Sequence, residues 1–211
     1  MKASKMRVGI LGGTGKLGLA LANRLHRSGH AVTIGSRDPA KAIEAAKSIS
    51  EEIGGASNLE AAAWCDVAFV SVPYSGHRAL LEPLKDALRG KIIVDATVPI
   101  DPANILRTKT ESGKSAAEET AAIIPEADTF AAFHTISHRI LRDPTASQDV
   151  LVAGSAHRKS ELMDLIKSMH LNPVNAGPIE VAGNLECMTV LLLSINKANK
   201  VKESGIKITG I

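Results

Sequence analysis

Ten residues near the start, Gly9-Ile10-Leu11-Gly12-Gly13-Thr14-Gly15-Lys16-Leu17-Gly18, constrain the fold of this chain more than any others. They hold the pattern G-x-G-x-x-G as Gly13, Gly15 and Gly18. Before them, Arg7–Leu11 is a short apolar run ending in glycines, which predicts a buried strand. After them, residues 15–28 predict a helix with Leu17, Leu21 and Leu25 spaced four apart on one face, closed by Gly29. Strand, glycine loop and helix in that order make a dinucleotide-binding unit. Glycine permits the tight turn and the close approach of backbone to a pyrophosphate, and the helix start offers free N–H donors to the anion. A glycine-rich turn without ligand is the plainer alternative, and the order of elements argues against it.

The pattern continues. Residues 31–35 read as a strand, and residues 39–53 as a helix entered through Asp38-Pro39, an N-cap residue with proline at the first helical position. Residues 66–72 and 91–95 read as strands, with a helix over 75–88 between them. Such alternation predicts an α/β protein with a parallel sheet and right-handed crossovers. Beyond Asp95 the signal loosens: helix over 115–124, strands over 129–133 and 150–153, and an amphipathic helix over 157–169. A short extended piece over 173–175, a long helix over 180–201 and a last strand over 206–208 complete it. The expected architecture is a Rossmann-type doubly wound parallel sheet with a small C-terminal α+β extension forming a cleft. Residues 1–125 would be the dinucleotide domain and residues 126–211 the smaller portion, in one compact unit.

Composition narrows the function. Among 211 residues 45% are hydrophobic and only 2% aromatic, so aliphatic and alanine side chains must fill the core and no aromatic platform exists for single-stranded nucleic acid. A net charge of +3 is too small to imply polynucleotide binding. Cys65 and Cys187 form neither a CxxC pair nor a metal spacing with histidine, and both are expected to be buried apolar residues of a reducing compartment. Met1–Arg7 is short and polar, unlike a signal peptide, and the apolar run 188–195 is short of a membrane span, so a cytoplasmic protein is expected.

The end of the second strand selects the nucleotide. An NAD site places an acidic residue there for the ribose hydroxyl. Here Ser36 and Arg37 offer a hydroxyl and a guanidinium fork, and Lys41 adds a charge one turn later, which suits a 2′-phosphate and hence NADP. Asp38 could accept from a ribose, but its place before Pro39 assigns it to capping.

The order Gly-Gly-Thr-Gly-Lys-Leu-Gly (12–18), Gly-Ser-Arg (35–37), Ser-Ala-Ala-Glu (115–118), His-Thr-Ile (134–136) and Gly-Ile-Lys (205–207) resembles the NADPH-dependent reductases of coenzyme F420 over nearly the whole chain. The resemblance implies reversible hydride transfer between C4 of the nicotinamide and C5 of an 8-hydroxy-5-deazaflavin, both rings being cofactors, with no catalytic side chain and no metal. It implies that Gly13, Thr14, Gly15, Lys16 and Leu17 lie along the pyrophosphate and that Ser36, Arg37 and Lys41 hold the 2′-phosphate. Val72, Pro73 and residues 96–99, Val98 among them, would border the nicotinamide. His134, Ile136, Thr189 and the 205–208 tail with Ile206 would line the deazaflavin pocket, which the C-terminal portion completes. A homodimer is expected.

Each residue also has a structural reading. His134 could be a satisfied structural histidine, Ile136 could be core, and Thr189 could bond back to its own helix. Tyr74 and Trp64 are expected to pack rather than to touch cofactor. The cluster Lys197, Lys200, Lys202 and Lys207, with Arg139 and Arg142, is either solvated surface or a basic rim for the acidic tail of the deazaflavin coenzyme. The residues also leave open an NADP-linked reductase of another small acceptor, a flavin or an imine, and a non-catalytic NADP-binding redox sensor. Against the imine reading, no Tyr-x-x-x-Lys pair is present and Tyr74 is the chain's only tyrosine.

Overall fold

The computed structural model describes residues 5–211; residues 1–4, part of the polar stretch read as unlike a signal peptide, lie outside the described residues. The first half runs β1 (Arg7–Leu11), α1 (Lys16–Arg27), β2 (Ala31–Ser36), α2 (Pro39–Lys47), β3 (Gly54–Ser57), α3 (Asn58–Trp64) and β4 (Val67–Val70). A 3₁₀ turn (Tyr74–Gly76), α4 (His77–Leu81), a second 3₁₀ turn (Glu82–Leu84), α5 (Lys85–Leu88) and β5 (Ile92–Asp95) follow. The second half holds the hairpin β6 (Ile100–Asp101) and β7 (Asn104–Thr108), α6 (Ala116–Ile123), β8 (Asp128–Ala131), α7 (His138–Arg142) and β9 (Asp149–Gly154). It ends with α8 (Lys159–Ser168), β10 (Asn172–Gly177) and α9 (Ala182–Asn199).

Eight strands form one sheet in the order β10-β9-β8-β5-β4-β1-β2-β3. β1 pairs in parallel with both β2 and β4, so the chain reverses its direction of winding there and leaves a crevice at the C-terminal ends of the strands. β5 pairs in parallel with β8, and the one antiparallel junction is β8 with β9. The C-terminal strands therefore continue the N-terminal sheet.

Strands buried on both faces read as unbroken apolar runs. In β4, Val67 and Phe69 join Val8, Ile10, Ile34 and the Leu21–Leu25 stripe of α1 on one face, while Ala68 and Val70 meet Leu81, Leu84 and Leu88 on the other. Phe69 and Phe133 meet edge to face at 5.5 Å between ring centroids. Trp64 packs against the second face, as expected of it.

Buried polar groups join the two halves. Arg24 of α1, 2% exposed, donates to the carbonyls of Met169 (2.7 Å) and Ala146 (2.7 Å) and to that of Asp143, so the last turn of α1 is stitched to the loops after α7 and α8. Burial lowers its affinity for the proton, and the nearby charge of Asp143 offsets this only in part. His30 accepts the Met6 N–H on Nδ1 (3.2 Å) and donates from Nε2 to Ser168 Oγ (2.8 Å), whose own proton goes to the Leu165 carbonyl.

Several expectations need correction. The helix expected over 39–53 stops at Lys47, and β3 and α3, which were not expected, follow it. The helix expected over 75–88 is broken at Pro83, which lacks the N–H that continues the ladder. The final strand over 206–208 does not form; the Ile208 N–H is taken by the Asp149 carboxylate at 2.6 Å instead. Cys187 is exposed rather than buried, whereas Cys65 is buried as expected. Residues Ile179–Asn199 are long and apolar enough, at a mean hydropathy of 1.3, to cross a membrane by length and composition alone. In the fold this segment packs on α6, β7 and β9 with Leu185, Glu186, Val190 and Leu192 buried.

Candidate active site

The glycine loop sits at the crevice. Gly12 takes φ +66°, and a Cβ there would collide with Val72, so the loop lies directly against the end of β4. A Cβ on Gly18 would collide with the backbone of Gly13, which lets α1 begin flush against the loop. Gly15, the N-cap of α1, faces open space, no side chain caps the helix, and its first turn carries no acidic residue. Free N–H donors, an open approach and the positive end of a helix dipole are what a pyrophosphate needs.

A cavity of about 680 Å³ opens beside this loop, lined by Thr14, Gly15, Ser36, Arg37, Val72 and Pro73 among others. Ser36 ends β2 and Arg37 follows it, ahead of α2. Asp38 caps that helix, accepting from the N–H groups of Ala40 (3.0 Å) and Lys41 (3.5 Å), with Pro39 at its first position. Its carboxylate is thereby occupied, as expected, and Arg37 makes no ion pair among the described residues. Lys16, Leu17, Lys41 and Val98 do not line the cavity; Lys41 is exposed on the first turn of α2 and Leu17 packs on the core.

Sequence reasoning missed Asn58 and Leu59 in the same wall. Asn58 Oδ1 accepts the Gly12 N–H at 2.9 Å and so holds the glycine loop to α3, while Leu59 is exposed in the cavity. The signal was present as Ser57-x-x-Glu60, a capping box that starts α3.

A second group gathers at the ends of β5 and β8. Asp95, fully buried, accepts from His77 Nε2 (2.7 Å) and Thr120 Oγ1 (2.6 Å) on Oδ2, and from the Thr97 N–H (2.9 Å) on Oδ1. Burial alone would push its carboxyl up, but the hydrogen bond and charge of His77, with Thr120 and Thr97, hold it below the usual carboxylate range. The Thr97 carbonyl lies 3.2 Å from His134 Nε2, and the His134 carbonyl accepts from Thr189 Oγ1 at 2.7 Å. His134 and Thr189 thus meet, and Thr189 bonds across to His134 rather than to its own helix. Burial lowers the pKa of His134, which keeps it neutral. Ile136 is buried in the core cluster, and Ile206 lines a separate cavity of about 470 Å³ with Gln148, Asp149 and Lys207.

Around these groups, Tyr74 donates to both oxygens of the Glu119 carboxylate at 3.0 and 3.1 Å. Glu186, 2% exposed, accepts the Ala116 N–H at 2.7 Å, and burial pushes its carboxyl up to about 8. Arg139 lies 3.6 Å from Glu203, while Lys197, Lys200, Lys202 and Lys207 are exposed. Among the described residues no group of His, Cys, Asp and Glu is arranged to hold a metal ion.

Residues 7–99 match the family model described as NADP oxidoreductase, coenzyme F420-dependent. The F420-dependent NADP reductase of Methanothermobacter marburgensis is 37% identical over 224 residues, covering 98% of this chain and 99% of the relative. The chain belongs to this family. The enzyme of the same name from Methanocaldococcus jannaschii is 33% identical and covers 98% of this chain. A crystal structure provisionally assigned as an F420-dependent NADP reductase from Arthrobacter sp. FB24 superposes with a TM-score of 0.86, at 25% identity, over 97% of this chain and all of that one. This chain thus resembles those reductases in sequence and that crystal structure in fold.

Proposed function

We propose that this chain catalyses reversible hydride transfer between NADP(H) and coenzyme F420, with its own residues binding and aligning the two cofactors. The observation that carries this reading is the open cradle at Gly15 and the uncapped start of α1, facing the same cavity as Ser36 and Arg37. A pyrophosphate and a 2′-phosphate fit that donor set. Thr14 and Gly15, with Lys16 and Leu17, hold the pyrophosphate; Ser36 and Arg37, with Lys41 from the adjoining turn, hold the 2′-phosphate. Val72, Pro73 and Val98 border the nicotinamide, and His134, Ile136, Thr189 and Ile206 border the deazaflavin. Residues 1–125 thereby serve NADP and residues 126–211 complete the second pocket.

When bound, the two cofactors supply both hydride donor and hydride acceptor. The protein supplies proximity and alignment of two flat rings. The lone tyrosine supports this division of labour, because the Tyr74 hydroxyl is engaged by Glu119 and the burial that raises its pKa makes it a poor proton donor for an imine or carbonyl. Exposed Leu191 and Ile195 on α9 support a homodimer, and two unpaired cysteines suit the cytoplasm.

The test is NADPH oxidation by purified protein with oxidised F420, with NADH and FMN as controls. Turnover confined to NADPH with F420 is expected. Tight NADPH binding without F420 turnover would overturn the catalytic reading in favour of a sensor or another acceptor.

A further inference from the structure

Of the buried side-chain polar atoms without a partner among the described residues, three lie in one place: His77 Nδ1, Thr97 Oγ1 and His134 Nδ1. Buried unpaired polar atoms are costly, so three together mark a cluster kept for something other than stability. They surround the fully buried Asp95, whose carboxylate is held on one oxygen by His77 and Thr120 and holds the Thr97 N–H with the other. The chain of contacts continues through the Thr97 carbonyl to His134 Nε2 and from the His134 carbonyl to Thr189. A carbonyl only accepts, so Nε2 of His134 must carry the proton, and in the neutral ring Nδ1 is left as a bare acceptor.

We propose that Asp95 is a positioning residue of the hydride-transfer site: anchored by His77 and Thr120, it fixes the Thr97 peptide, which locks His134 in its Nε2–H form beside the deazaflavin face. The inference rests on the functional reading above for what His134 faces, and on the geometry alone for the lock. Thr97 follows β5 and His134 follows β8, so the carboxylate ties together two loops that border different rings. Loss of that tie lets the rings drift apart, and a displacement of about 1 Å in such a site can slow transfer roughly 100-fold.

The experiment combines long-range ¹H–¹⁵N correlation spectra of the ligand-free protein with steady-state kinetics. His134 ring signals are assigned by their loss in His134→Gln. In the unsubstituted protein, His134 is expected to show a protonated Nε2 and a bare Nδ1. Asp95→Ala is expected to populate the second tautomer and to lower kcat with F420 by roughly 10- to 100-fold, while KM for NADPH stays within about twofold. Asp95→Asn keeps an acceptor for the Thr97 N–H and is expected to restore the His134 signals and most of kcat. If Asp95→Ala does not fold, Thr120→Val loosens the anchor at nearly constant volume and is expected to show both changes in smaller degree. A protonated Nδ1 in the unsubstituted protein, or folded variants with unchanged His134 signals and unchanged kcat, would overturn the proposal. Absence of F420 turnover in the unsubstituted protein would sink the functional reading alone, because the His134 spectrum reports the lock independently.

Discussion

Arg37 lines the main cavity without a carboxylate partner among the described residues, while its neighbour Asp38 is turned away into the cap of α2. A guanidinium placed so is free for a dianionic phosphate, and charge-assisted hydrogen bonds of this kind contribute about 1.5–3 kcal/mol. Arg37→Ala is therefore expected to weaken NADPH binding roughly 10- to 100-fold and to leave NADH binding nearly unchanged, read by nucleotide fluorescence titration. Equal losses for both nucleotides would sink the 2′-phosphate assignment. This part of the site was legible in the sequence because its determinants are local: glycine spacing, a cap before proline, and two residues at a strand end. Asp95, His77 and Thr120 were not legible as a unit, since they come from three elements 18 to 43 positions apart and no periodicity links them. Arg24 was hidden similarly, as a cation within an amphipathic helix whose partners are carbonyls more than 100 residues away.

At the scale of elements, Glu186 on α9 sets its carboxyl against the first turn of α6. Burial chiefly raises its pKa to about 8, the Ala116 N–H lowers it in part, and the charge of Asp95 raises it again. The folded protein thus keeps a proton on Glu186 that the unfolded chain releases near the ordinary value of 4.5. The folded state binds more protons across that interval, so stability from this group is full below it and falls as pH rises towards 8. Glu186→Gln keeps an acceptor for Ala116 and removes the titration. It is expected to raise stability at pH 8 by on the order of a few kcal/mol and to change little near pH 5, read as urea midpoints at both values. A gain of equal size at both pH values would show that the carboxyl is not held neutral. Elements with a plain local signal were legible: the apolar run of β1, the leucine stripe of α1 and the long apolar stretch of α9. The β6–β7 hairpin was not, because Asn104–Thr108 is largely exposed, lacks an alternation of apolar and polar residues and takes its place from packing on α9. The expected strand at 206–208 failed for a related reason: β-branched residues favour a strand only where an edge is open to them, and here the Asp149 side chain takes the Ile208 N–H.

For the whole molecule, α9 poses a problem of coverage. Its apolar residues run round the helix rather than along one stripe: Leu185, Val190 and Leu192 are buried, whereas Leu191, Leu193 and Ile195 are 56%, 42% and 38% exposed. A helix apolar on all sides belongs inside a structure. Ile105 and Leu106 of β7, the strand that packs on α9, are likewise exposed, at 59% and 55%. Fully covering one such side chain contributes about 1.5–3 kcal/mol, so a second copy seated on this face would gain enough to hold a dimer in the micromolar range or below. Sedimentation is expected to give twice the 22.1 kDa chain mass. Replacing Leu191 and Ile195 together by glutamate is expected to yield monomers with an unchanged circular dichroism spectrum, because neither side chain belongs to the buried core. Dimers that persist in the double variant would put the interface elsewhere, and a native chain that sediments at 22.1 kDa at all concentrations would remove the dimer altogether. The monomeric variant also tests reach. Asp95, Thr97 and His134 lie within one chain and should keep their hydrogen bonds, so retained turnover would show that one copy carries a complete site, and lost turnover with intact NADPH binding would show that the second copy completes the F420 side.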